Sequence, residues 1–216
     1  MAPTKKSDAD RIHEVNQLID TILADPEIGM KMGRRGIRTD LLTQGKVLCR
    51  QAEQALRDVN ATYSDFLSSE IQMKQAERKV REGHRCFARV LRRSLKGKPA
   101  LLSELRLNLP TPRNRDLFVF AAAALFEQAF HRSEIMEELI GKGVSLEQIC
   151  LERIRFVELA ASESEYIYCR NQMKQATFRL KSLKHDLERW RRDCLKAARA
   201  AFSGAPSSVR RKLLLD

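Results

Sequence analysis

The sequence predicts an all-α fold: an elongated antiparallel helical bundle made of two tandem pseudo-repeats of about 107 residues. Three observations lead there. The 216 residues include only 9 glycines and 6 prolines, and aromatic residues make up 6%, so turn formers and strand formers are both scarce. Apolar residues recur at helical and seven-residue spacing over long stretches that lack Gly and Pro. The punctuation itself recurs: Gly36-Ile37 and Gly143-Val144 are 107 residues apart, as are Gly97-Lys98-Pro99 and Gly204-Ala205-Pro206. A hydrophobic fraction of 43% suffices for a buried core, which sets the chain apart from a disordered basic tail.

Each element has its own signal. Ser7 with Asp10 forms a capping box ahead of Ile12, Val15, Leu18, Ile19, Ile22 and Leu23, which places a first helix over residues 8–24. Asp25-Pro26 restarts a short helix over 26–33, closed by Gly33 to Gly36. Thr39 is the next N-cap and opens a long helix over 39–96. Its apolar seam is Ala52, Val59, Phe66, Met73, Val80 and Phe87, with Leu48, Ala55, Ala76 and Val90 on the companion line. The weak helix formers from Asn60 to Ser69 mark where a bend or break would fall. Gly97-Lys98-Pro99 ends this element, a short helix covers 99–107, and Pro110-Thr111-Pro112 marks the midpoint.

The second half begins the plan again. Asn114 caps a helix over 114–140, whose run from Leu117 to Phe126 is apolar on every side and is assigned to the centre of the core, within one chain or across a dimer. Gly141-Lys142-Gly143 closes it, Ser145 and Gln148 make a second capping box, and a long helix covers 145–203. Its seam is Ala176, Leu180, Leu183, Leu187, Trp190, Cys194, Ala197 and Ala201. A last short helix covers 206–214. Residues 1–109 and 110–216 are thus two repeats of one fused bundle, and at an offset of 107 Met73, Val80 and Phe87 fall on Leu180, Leu187 and Cys194. The identity Gln-Met-Lys-Gln-Ala at 72–76 and 172–176 gives an offset of 100 instead, one heptad out of step. Trp190 is assigned to the core, and Tyr63, Tyr166 and Tyr168 to helix–helix contacts.

The five cysteines, Cys49, Cys86, Cys150, Cys169 and Cys194, are odd in number and contain no CxxC pair, so they read as reduced thiols packed like small hydrophobes. The N-terminal residues lack the uncharged apolar stretch of a secretory signal, and the longest apolar run, Leu117 to Phe126, is far shorter than a bilayer span. A cytoplasmic protein is expected.

Charge supplies the functional reading. Lys and Arg number 40 against 28 Asp and Glu, a net charge of +12. Residues 71–100 hold ten basic residues opposed only by Glu77 and Glu82. At about 100° per residue, Lys74, Arg78, Arg81, Arg85, Arg89, Arg92 and Lys96 share an arc of roughly 80°, opposite the apolar seam and about 33 Å long. Lys174, Lys181, Arg189, Arg192, Lys196 and Arg199 repeat the stripe in the second half, interrupted by Phe178 and His185. A solvated face whose late cations complement the helix dipole explains a turn or two of such residues, but not six turns with few carboxylates at i±4. Counterion release on phosphate contact relieves the self-repulsion, and with so few interleaved aromatics the expected target is nucleic-acid backbone read without sequence preference. An acidic protein or an anionic membrane surface is the other anionic partner weighed. A protein partner or homodimer is also open.

Signals for enzyme chemistry are sparse. Of the four histidines only His13 has a carboxylate three residues earlier, Asp10, so the paired Glu-x-x-His of di-iron bundles is missing. Phosphate-cradling glycine loops and a Gly-x-Ser-x-Gly elbow do not occur. Five residues separate Arg78 from His84 and Arg179 from His185, a spacing similar to the Arg-x4–6-His motif of HEPN-class helical ribonucleases, but 26 arginines make it common by chance, and Lys79 and Leu180 stand where that motif carries a polar residue. The reading is therefore a non-enzymatic helical adaptor or scaffold using the thirteen stripe cations, with no catalytic, metal or cofactor residues assigned. A purely structural interaction bundle and a HEPN-like ribonuclease are its alternatives.

Overall fold

The computed structural model describes residues 6–213 and 215. Among these residues it has eight helices and no strand: α1 (Asp8–Ala24), α2 (Pro26–Gly33), α3 (Thr39–Ser94), α4 (Pro99–Glu104), α5 (Arg115–His131), α6 (Ser133–Ile140), α7 (Leu146–Ala201) and α8 (Ser207–Lys212). The fold is an all-α bundle in which α3 and α7 pack against each other. Helix lengths run 17, 8, 56 and 6 residues and then 17, 8, 56 and 6 again. The second series starts 107, 107, 107 and 108 residues after the first.

The ends form where the side chains dictate. Ser7 Oγ accepts from Asp10 N while Asp10 Oδ2 accepts from Ser7 N, and Ser145 and Gln148 exchange the same pair of bonds. Asn114 Oδ1 accepts from Leu117 N. Two helices end in the same left-handed turn: Gly36 has φ +89° with Ile37 N bonded to Met32 O, and Gly143 has φ +87° with Val144 N bonded to Leu139 O. Both glycines need that φ, and the buried pairs Ile37/Met32 and Val144/Leu139 complete the hydrophobic contact of the Schellman cap. Thr39 is the first helical residue rather than the cap.

Several expectations are corrected. The helix expected over 114–140 is two, because Arg132 is extended (φ −102°, ψ 115°) and serves as C-cap of α5 and N-cap of α6. That turn aims Ile135 and Leu139 into the core, and the Arg132 guanidinium meets Glu104 at 2.5 Å. Second, α5 is not central all round. It buries Phe118, Ala121, Ala122, Leu125, Phe126 and Ala129 within the chain and leaves Leu117 and Phe120 exposed. Third, Tyr168 is exposed, whereas Tyr166 meets Phe66 at a centroid distance of 5.5 Å. The stretch Asn60 to Ser69 stays helical, with Thr62 and Ser69 hydroxyls donating to Asp58 and Phe66 carbonyls. The last helix ends earlier than expected, residue 214 lying outside the described residues, as do residues 1–5.

The chain forms two compact units, Met1–Ser64 with Asn171–Asp216, and Asp65–Arg170. Each takes one end of α3 and the opposite end of α7. Packing therefore divides the chain differently from the sequence halves.

In the first unit, α1 and α2 bury Ile12, Leu18, Ile19 and Met32 in one cluster with Leu42 and Cys49 of α3 and Leu187, Trp190 and Cys194 of α7. Trp190 Nε1 donates to Leu41 O at 3.0 Å, which fixes α7 against the start of α3. The indole fits because Gly45 has no side chain: a Cβ there would lie 2.6 Å from Trp190 Cζ2. Burial raises the Cys49 thiol to about 11 and the Cys194 thiol to about 12, as for small hydrophobes inside a core.

In the second unit, Val80, Phe87, Leu91 and Leu95 of α3 share a cluster with Phe118, Leu125 and Phe126 of α5, Ile135 and Leu139 of α6, and Ile149 and Leu159 of α7. An ion-pair chain crosses it. Glu77 binds Arg81 at 2.7 Å and Arg115 at 3.3 Å, and Arg115 reaches Glu163 at 3.2 Å, so α3, α5 and α7 are joined by charge as well as by apolar contact.

Candidate nucleic-acid interface

The two basic stripes have different fates. On α3, Lys74 pairs with Glu70 at 2.8 Å and Arg78 with Glu82 at 3.2 Å, both on the exposed surface. Arg81 and Arg92, which the helical wheel sends outward, are turned onto the connection between α4 and α5. Arg81 donates from Nη1 to Pro112 O at 3.1 Å and stands over Phe118. Arg92 donates from Nε to Leu107 O at 2.8 Å and from Nη2 to Leu109 O at 2.6 Å. The cause is the connection itself. Pro110 and Pro112 keep it out of helix and Arg106 turns it at φ 55°, so its carbonyls lack helical partners and take guanidinium donors instead.

Arg85, Arg89 and Lys96 remain exposed, with no ion pair or hydrogen bond among the described residues. Arg85, Arg89 and Arg92 surround a shallow hollow of about 360 Å³ together with Arg93 and Thr111. Sequence reasoning missed those last two. Arg93 falls outside the wheel's arc, and only the folded connection brings Thr111 alongside.

On α7 the stripe survives whole. Lys174, Lys181, Arg189, Arg192, Lys196 and Arg199 are all exposed, and among the described residues none makes an ion pair or side-chain hydrogen bond. All six lie in the first unit. Glu188 borders them but is engaged by Arg191 at 3.6 Å, and Lys184, off the stripe, is engaged by Asp8 at 2.6 Å. Phe178 stands among the cations at 75% exposure, a single apolar face along a run of six charges. Residues 174–199 rise about 38 Å along the helix, a row of donors that among the described residues has no carboxylate partner to displace.

The Arg/His spacings do not form matched sites. His84 is buried, its ring edge-on to Phe118 at 5.4 Å and near Phe126 at 6.4 Å, and among the described residues neither nitrogen has a hydrogen-bond partner. Burial, with the nearby Arg92 and Arg81 charges, lowers its pKa to about 4. Arg78 of the same motif points into solvent at 83% side-chain exposure. His185 is exposed, with Nδ1 3.7 Å from Asp186, and belongs with Arg179 to the other unit.

No protein-family model, no curated protein and no solved structure matches the chain. Among the described residues, no helix is long and apolar enough to cross a membrane.

Proposed function

We propose that the protein is a non-enzymatic helical adaptor that binds nucleic-acid backbone through the basic face of α7. The observation that carries this reading is the row Lys174, Lys181, Arg189, Arg192, Lys196 and Arg199, exposed and, among the described residues, unpaired, in a chain that elsewhere matches many of its surface cations with carboxylates. Keeping like charges on one face without partners costs free energy in the isolated protein. Phosphates recover that cost by releasing condensed counterions. Arg85, Arg89 and Lys96 of α3, beside the Arg93 hollow, form a smaller site of the same chemistry in the second unit.

The contact chemistry implies weak sequence preference. Guanidinium and ammonium groups reach phosphates from a helix surface, while one aromatic ring, Phe178, offers little stacking for single strands. The test is fluorescence anisotropy with labelled duplex and single-stranded oligonucleotides across a salt series. The expected result is duplex binding whose logarithm falls with log salt at a slope of about −3 to −5, as suits six available cations. Replacing Arg189, Arg192 and Lys196 together with Gln flattens that slope by about 0.9 for each phosphate that is no longer neutralised. Absence of binding at low salt, or a slope that ignores those three residues, refutes the reading and leaves α7 with a solvated face.

A further inference from the structure

A second feature of α7 lies in the other unit and is apolar. Within Asp65–Arg170 the helix buries Ile149, Glu152, Leu159 and Cys169. On the opposite side a second row runs Cys150, Ile154, Val157, Ala161, Ser164 and Tyr168. Its spacing of 4, 3, 4, 3 and 4 residues is that of a coiled-coil seam, and with Cys150 set at zero the six fall within an arc of about 80°. Ile154, Val157 and Tyr168 are 55%, 60% and 59% exposed, values for side chains that the described residues of their own chain leave uncovered. The positions 107 residues earlier on α3 read Thr43, Val47, Arg50, Gln54, Arg57 and Ala61, an ordinary solvated face. The apolar seam is thus peculiar to α7.

We propose that this seam is a homodimer interface in which α7 of one chain packs antiparallel against α7 of a second copy. The argument is size complementarity. In an antiparallel pair each a position faces a d position, and the register centred on Leu159 sets Ile154 against the partner's Ser164, Val157 against the partner's Ala161, and Tyr168 against the partner's Cys150. Every layer then joins one large residue to one small one, and the two-fold axis repeats all three. Registers shifted by a heptad in either direction bring Ile154 against the partner's Val157 or Ala161 against the partner's Ser164, which leaves layers overfilled or empty and shortens the overlap. A helix of uniform large side chains does not fit this row, whereas the row fits itself. The same register sets Glu158 beside the partner's Glu158 at the axis, so the dimer carries one like-charge contact that weakens it.

Sedimentation equilibrium of the full chain tests the proposal. The mass is expected to rise from one chain, 24.8 kDa, toward two as concentration passes through the micromolar range. Val157→Asp, at a position exposed in the single chain, is expected to keep the helical circular dichroism spectrum and to weaken association by about 100-fold, since it buries two carboxylates. Glu158→Gln, which alters only the contact at the axis, tightens association by about two-fold, and mixing the native chain with Glu158→Lys gives heterodimer beyond the statistical share. A chain that stays monomeric across that range overturns the proposal. So does a dimer whose affinity ignores both Val157→Asp and the charge at 158.

Discussion

Arg81 Cζ lies 3.9 Å from the centroid of the Phe118 ring, so a cation that the helical wheel assigns to solvent is a fastener between α3 and α5. It also donates to Glu77 and to the Pro112 carbonyl. Position on a wheel fixes the direction of a Cβ, not the end of a long side chain, and an arginine stem reaches far enough to change its environment.

Arg81 and Arg192 therefore separate stability from binding. Arg81→Gln removes the ring contact and the bonds to Glu77 and the Pro112 carbonyl from a half-buried site and is expected to lower stability by about 2–3 kcal/mol, with little change in the salt dependence of nucleic-acid binding. Arg192→Gln is expected to leave stability within about 0.5 kcal/mol and to flatten the salt slope. Urea titrations and anisotropy on the same two variants check both halves.

Arg115 stands between Glu77 and Glu163, at 3.3 and 3.2 Å. Arg115→Met leaves two largely covered carboxylates without their shared cation and is expected to cost about 3 kcal/mol. Adding Glu163→Gln to Arg115→Met should recover part of that decrease, because the uncompensated charge rather than the missing bond is the larger cost. A double-mutant cycle by urea unfolding measures the coupling.

The Trp190 ring decides the sign of a helix-favouring change. Alanine is the better helix former by about 1 kcal/mol, yet a Cβ at position 45 would sit 2.6 Å from two indole atoms and 2.9 Å from Ile19 Cδ1. The indole cannot retreat without breaking its bond to Leu41 O. Gly45→Ala is therefore expected to destabilise by about 2 kcal/mol, overpacking outweighing propensity, and thermal unfolding reads the result.

What the sequence made legible was local chemistry. The capping boxes at Ser7 and Ser145, the Asn114 cap, the left-handed glycines at 36 and 143 and the burial of Ala52, Val80, Phe87, Leu187 and Trp190 all follow from residues within a few turns of each other. What escaped depended on distant chain. Arg132 breaks a helix with no Pro or Gly nearby, because Ile135 and Leu139 must reach a core built largely by other elements. The fate of Arg81 and Arg92 was set by a connection up to thirty-two residues downstream. The α7 stripe was legible in full because no distant segment intervenes on it. Its neighbour, the seam from Cys150 to Tyr168, follows the same 3–4 rule but is hidden in a sequence whose main seam is stronger.

His84 gives the chain an acid-sensitive point. Its imidazole is buried between two phenylalanines with a pKa lowered to about 4, against about 6.5 in the unfolded chain. Since the unfolded state takes up the proton first, the folded state loses stability as pH falls from about 6.5 to 4, by about 3 kcal/mol over the whole window, and loses no more below it. Glu152 works in the opposite sense: burial raises its carboxyl pKa, so its contribution is present when protonated and is lost as pH rises through that raised value. A variant at position 84 isolates the first effect. His84→Leu keeps an apolar contact with Phe118 and Phe126 and cannot take up a proton, so its unfolding midpoint is expected to fall less between pH 7 and pH 4.5 than that of the native chain. Equal declines in the two proteins would show that the imidazole is already protonated in the fold, with its charge met by solvent.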